Sequence, residues 1–275
     1  MMGTETNLQI LKERVQAVVD STAGHVSFVI EDGNGLRLEK DADVSKKAAS
    51  LIKIPIMMAA FKQVEAGRLN LSDRYSIDAE NVVGGAGVIP FMNRDTSFTL
   101  WDLLTLMIVV SDNTATNKVI DIVGWSAVAG FCKEHGLTNT RLERKMMDFK
   151  AAAGGLENRT SAKEMVECLK YLQMEDADRG VFTEESRQNM LRILGGQQLL
   201  DKLPFYMDLG SVRIANKTGE LSGVEHDCGM VTYKGEKLMV AVLIDDLMDN
   251  SIGKRAIQEI GKLVEEYLKG TISFP

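Results

Sequence analysis

Ser50-Leu51-Ile52-Lys53, Ser111-Asp112-Asn113 and Lys217-Thr218-Gly219 stand in this order along a chain of 275 residues. A serine followed three positions later by a lysine is common in any chain of ordinary composition. All three signatures, ordered and spread over most of the chain, are not. Ser50 comes just before Leu51–Ala66, an apolar helical stretch stopped at Gly67. Pro55 fits that helix only in its first turn, where no N–H is needed. This puts Ser50 at a helix N-terminus, with Lys53 one turn on along the same face. A hydroxyl there lies beside unpaired N–H groups and the positive end of the helix dipole. That field favours the anion formed on an attacked carbonyl, while the amine can take the hydroxyl proton. The plainer alternative is a capping serine and a lysine that reaches to water.

The second motif follows Thr99–Val110, which is apolar on nearly all sides and therefore buried. A helix resumes over Thr114–Val123. Ser111 and Asn113 then either project into a cleft from a rigid base or form an ordinary polar turn. In the third motif Lys217 ends a strand, Val212–Lys217, and Gly219 lets a substrate backbone approach the strand edge.

Further out, Val26–Glu31 and Arg37–Glu39 flank Asp32-Gly33-Asn34-Gly35, a hairpin turn. Cys228–Tyr233 and Lys237–Ile244 read as strands joined at Lys234-Gly235-Glu236. Leu8–Val19 carries an apolar helical face, and Ser251 caps an amphipathic helix that closes at Leu268. Strands at both ends with helices between them indicate an α+β fold. The expected arrangement is a five-stranded antiparallel sheet flanked by N- and C-terminal helices and packed on a mostly helical lobe. One domain spans 1–275, with an α/β lobe from about 1–49 and 206–275 and a helical lobe over about 50–205. No repeat or Pro/Ser-rich linker divides it.

Hydrophobic residues make up 45% and charged residues 26%, as in soluble globular chains. A net charge of −7 argues against nucleic acid or anionic lipid as the main partner. The longest apolar run, Leu103–Val110, is far too short for a membrane span. Cys132, Cys168 and Cys228 are an odd number without metal-type spacing, so they are expected to be reduced and buried. Met1–Asn7 has no features of an export leader, which gives a cytoplasmic expectation. A trimmed leader would leave the same sequence on a periplasmic or secreted protein. His226-Asp227 either lines the cleft or, the preferred reading, starts a strand. The methionines, Met146-Met147 among them, read as core filling.

Taken together, the motifs resemble the serine β-lactamase and penicillin-binding superfamily, most closely class A. The likeness extends from about Val26 to the final helix. It includes Gly84-Gly85-Ala86-Gly87-Val88, similar to a cleft-lining loop, and Thr140-Arg141-Leu142-Glu143-Arg144, similar to the entry of the Ω-loop. The resemblance implies that Ser50 is acylated and that Lys53 activates it. Ser111 would relay a proton to the leaving nitrogen. Asn113 would bind the substrate amide, and Lys217 and Thr218 its carboxylate. The backbone N–H groups of Ser50 and Glu220 would form the oxyanion hole. No metal or cofactor is required, because fixed backbone donors stabilise the oxyanion. Class A enzymes place a glutamate two residues after the Arg-Leu-Glu-Arg stretch, and here Met146 stands there. The asparagine usual four positions further on is Lys150. Asp148 is the candidate substitute base for freeing the acyl-enzyme, off register by two. The implied activity is β-lactam hydrolysis, slowed by Met146, on a small-molecule lactam, amide or ester. The rival readings are an esterase or D-Ala-peptidase, or a penicillin-binding protein acylated without efficient turnover.

Overall fold

A computed structural model describes residues 4–93, 95–173 and 180–274. In chain order the elements are α1 (Thr4–Ser21), β1 (His25–Glu31), β2 (Arg37–Lys40), β3 (Lys46–Lys47), α2 (Lys53–Glu65), β4 (Arg74–Ser76), β5 (Ser97–Thr99), α3 (Leu100–Val109), α4 (Asn113–Val123), α5 (Trp125–Glu134), α6 (Phe149–Ala153), β6 (Arg159–Thr160), α7 (Ala162–Gln173), α8 (Glu184–Gly195), β7 (Arg213–Leu221), β8 (Val224–Tyr233), β9 (Glu236–Asp245) and α9 (Asn250–Leu268). The main sheet has the order β2-β1-β9-β8-β7, with every neighbour antiparallel. This is the α+β arrangement expected from the sequence.

The sheet buries two apolar faces because alternate residues point opposite ways. On one face Val240, Val242 and Ile244 pack with Ile10, Leu11 and Val15 of α1 and with Ile257, Ile260 and Val264 of α9. On the other, Cys228, Met230, Met239, Ala241 and Leu243 join the core of the helical layer, which includes Leu103, Leu104 and Met107 of α3. The three cysteines are free and buried. Lys234 and Gly235 both take positive φ, 49° and 92°, forming the tight connection between β8 and β9.

Three local expectations need correction. The strand carrying the third motif does not end at Lys217 but continues to Leu221, and β8 begins at Val224 rather than Cys228. Glu225-His226-Asp227 does not read as a strand because it is polar throughout, yet all three side chains are fully buried in hydrogen bonds and ion pairs. The cap of α9 is Asp249, which accepts from Ser251 N at 2.8 Å, not Ser251 itself. Asp249 stands one residue before the first helical position, where its carboxylate reaches the unpaired N–H groups.

The loop between α8 and β7 is fastened to α9. Gln258 Nε2 donates to Asp201 O at 2.8 Å, and Lys254 pairs with Asp201 at 2.7 Å. A Cβ on Gly261 would fall on the Leu203 carbonyl oxygen. Gly261→Ala is therefore expected to cost about 2–3 kcal/mol, because backbone rather than a flexible side chain must move. A urea denaturation midpoint close to wild type would contradict that packing.

Candidate active site

Ser50 lies in a single 3-10 turn, Ala49–Ile52, that runs directly into α2 at Lys53. This refines the expected start of the α-helix without moving the serine off the helix end. The preceding segment is held on both sides: Ala48 N donates to Asn158 O at 2.7 Å, and His226 Nε2 bonds Lys47 O at 2.9 Å. Ala49 takes φ 47° and Ser111 takes φ 55°, left-handed conformations that cost non-glycine residues about 1 kcal/mol or more. Strained backbone thus flanks both hydroxyls of the cluster.

Ser111 brings the two lysines together. Lys53 Nζ lies 3.0 Å from Ser111 Oγ, 2.7 Å from Ser111 O and 3.0 Å from Asn113 Oδ1. Lys217 Nζ donates to the same Ser111 Oγ at 3.1 Å and to Thr218 O at 2.8 Å. Both lysines are wholly buried. Burial, assisted by the nearby Lys217 charge, holds the Lys53 amine well below the ordinary lysine range. Burial also brings Lys217 down to about 7, against the attraction of Asp227.

Asp112 explains the middle residue of the second motif. Its carboxylate is fully buried and accepts from Ala115 N at 2.8 Å, Val88 N at 2.6 Å and Ile89 N at 2.8 Å. One residue therefore caps α4 and anchors the Gly84–Val88 loop. Gly87, at φ 117°, packs where a Cβ would overlap Asp112. Asn113 Nδ2 donates to Gly84 O at 3.1 Å and its backbone N to Ala86 O at 3.0 Å, closing the loop over the cleft.

The cleft has two lobes that meet at Ser50. One, of about 630 Å³, also takes in Ser111, Thr218, Glu220 and Lys202. The other, of about 210 Å³, takes in Asn113, Met146, Met147, Phe149 and Glu220. Ser50, Lys53, Ser111, Asn113, Lys217, Thr218 and Glu220 are thereby assembled in one place. Gly219 also has a packing use. A Cβ there would sit 3.3 Å from Ala49 Cβ and 3.4 Å from Ala48 O, so the glycine lets the segment before Ser50 approach β7. Asp148 lines neither lobe; it lines a separate recess with Lys145 and Asp121, and its Oδ1 caps α6 by accepting from Ala151 N at 2.9 Å. His226 is buried inside β8 rather than at a strand start, with its pKa lowered by burial to about 4.

Met146 is fixed by its backbone. Asn117 Oδ1 accepts from Met146 N at 2.8 Å, and Asn117 Nδ2 donates to Met146 O at 3.1 Å. Asn158 Oδ1 accepts from Glu143 N and Arg144 N, bracing the same loop at its entry. Lys150 is exposed. Sequence reasoning missed Asn117 and Asn158, because each stands among polar neighbours, Thr116 and Lys118 or Glu157 and Arg159, and nothing along the chain marks it out. Glu157 also lines the smaller lobe, and its Oε1 is held by Arg144 Nε at 2.9 Å and Asn158 N at 2.9 Å.

An α+β fold of this topology with two serines and two lysines in one cleft defines the class of serine β-lactamases and penicillin-binding proteins. The chain belongs to the β-lactamase enzyme family, whose model matches residues 9–268. It is 30% identical to a β-lactamase of Rhodobacter capsulatus over 94% of this chain and 89% of that one. The β-lactamase of Sphaerobacter thermophilus DSM 20745 superposes with a TM-score of 0.85 at 31% identity, covering 95% of this chain and 97% of the other. A Leu-to-Glu variant of PBP-A, solved as an acyl-enzyme complex with penicillin G, gives 0.83 at 25% identity over 95% and 97%. Among the described residues no helix is long and apolar enough to cross a membrane.

Proposed function

We propose that this chain hydrolyses β-lactams slowly through an acyl-enzyme on Ser50, with rapid acylation and impaired release. The observation that carries the reading is Ser111 Oγ, bound by Lys53 and Lys217 at once beside the Ser50 cleft. A neutral Lys53 amine has a lone pair for the Ser50 proton, and its burial beside a second lysine favours that neutral form. Ser50 Oγ then attacks the lactam carbonyl, and the N–H groups of Ser50 and Glu220 receive the negative charge. The lactam C–N bond breaks as Ser111 passes its proton to the leaving nitrogen and recovers one from the lysines. Asn113 binds the substrate amide. Lys217 and Thr218 hold the substrate carboxylate at the strand edge.

Release needs a base for water, and the loop over residues 141–158 supplies a poor set. Met146 lines the lobe beside Ser50, and a thioether cannot take the proton. Glu157 is neutralised by Arg144, and Asp148 is engaged in capping α6. A second reading has a specific support: the PBP-A variant holds penicillin G as an acyl-enzyme. On that reading the chain is a penicillin-binding protein acylated without efficient turnover. An esterase or D-Ala-peptidase would use the same Ser50 chemistry on another carbonyl.

Lys217 tests the anchoring. Its charge is present below about pH 7 and is lost above it. Acylation by carboxylate-bearing lactams should therefore fall as pH rises through about 7, whereas neutral esters should keep their rate there. Toward acid, both should slow as Lys53 takes a proton. Lys217→Ala should remove about 1.5–3 kcal/mol of binding to the anion, more than tenfold in rate, and much less for neutral esters. Equal losses for both substrate types would assign Lys217 to the proton relay alone.

A further inference from the structure

Lys202 is a fully buried lysine of the loop between α8 and β7, and no motif includes it. Its Nζ donates to Gly219 O at 2.8 Å and lies 3.4 Å from His226 O, the carbonyl of the residue paired with Gly219 across the sheet. Gly219 O and Glu220 N belong to one peptide group. In a planar trans peptide the oxygen and the N–H point opposite ways, so a cation at the oxygen and an anion at the N–H act on the same dipole from its two ends. Hydrogen bonds linked in this way polarise and strengthen one another. The ammonium is fixed by Glu225 Oε2 at 2.5 Å, and Glu225 Oε1 accepts from Asn250 Nδ2 at 2.9 Å. The Glu220 carboxylate lies further off, at 3.8 Å. The fastening of this loop to α9 through Asp201 and Gly261 leaves Lys202 little freedom.

We propose that Lys202 is a positioning residue of the oxyanion hole, strengthening the Glu220 N–H donor through the Gly219–Glu220 peptide. The proposal rests on Ser50 being acylated. It differs from a substrate-anchoring role because the effect travels through the peptide and does not depend on a substrate carboxylate. Losing a whole oxyanion donor costs a factor of about 10² to 10³, so weakening one at a distance should cost about tenfold in acylation.

The test is infrared difference spectroscopy on the acyl-enzyme formed with a β-lactam labelled with ¹³C at the lactam carbonyl, read together with acylation rates. Removing Lys202 alone would strand a buried carboxylate, so the principal variant is Lys202→Met combined with Glu225→Gln. The second is Lys202→Gln, likewise combined with Glu225→Gln, which keeps a donor without the charge. Both should raise the ester carbonyl stretching frequency, as expected when the carbonyl is less strongly hydrogen bonded, and slow acylation about tenfold for lactams with and without a carboxylate. Lys202→Arg should restore most of both. An unmoved carbonyl band in either folded variant would overturn the proposal, as would a loss confined to carboxylate-bearing substrates. If the wild-type protein gives no acyl band on Ser50 at all, it is the acyl-enzyme reading that fails.

Discussion

Ser50→Ala is expected to abolish covalent labelling by reactive β-lactams and acyl phosphonates. Ser50 is the hydroxyl at which both lobes of the cleft meet, and it leads into the helix that carries Lys53. Ser111 does not replace it, because its Oγ is already held between two buried amines. Lys53→Ala should leave Ser50 in place but slow labelling by a factor of about 10² or more, the usual weight of a positioned base. Intact-protein mass spectrometry reads both variants. Unchanged labelling of Ser50→Ala would remove it as the nucleophile.

Met146→Glu is expected to speed release of the acyl group by a factor of about 10² to 10⁴, leaving acylation nearly unchanged. The side chain enters the lobe that Ser50 lines, and Asn117 holds the backbone at residue 146 from both its N–H and its carbonyl. A carboxylate introduced there therefore starts from a fixed position. Adding Lys150→Asn should change little further, since Lys150 is exposed. If instead Asp148→Asn stops turnover while substitution at 146 has no effect, the loop register is wrong and Asp148 is the base.

The fold was legible because hydrophobic period and turn chemistry agreed along most of the chain. The apolar runs Phe28–Ile30 of β1 and Leu238–Ile244 of β9 and the Lys234-Gly235 turn needed no tertiary information. The residues that escaped were those whose polarity contradicts their burial. Glu225, His226 and Asp227 hide a strand because their partners, Lys202, Lys47 and Asn216, lie outside the strand itself and meet it only in the folded chain. The motif serines and lysines were legible because together, in that order, they resemble a known family's signature; acyl-transfer chemistry alone does not fix an order along the chain. Lys202 was not: Asp201-Lys202-Leu203 has the appearance of a surface loop, and only the folded chain brings its ammonium to the carbonyl of Gly219. Gly219 was read as an opening for substrate, and that its missing Cβ also makes room for Ala49 is visible only in the folded chain.

The claim at the centre of the account is that acylation is intact and release is impaired. Intact mass spectrometry over time, after mixing wild-type protein with a chromogenic cephalosporin, tests it directly. The expected result is a rapid mass increase corresponding to one acyl group on Ser50, followed by slow return to the free mass as hydrolysed product appears. Product released rapidly while the protein stays at its free mass would contradict the account, because release would then be faster than acylation despite Met146.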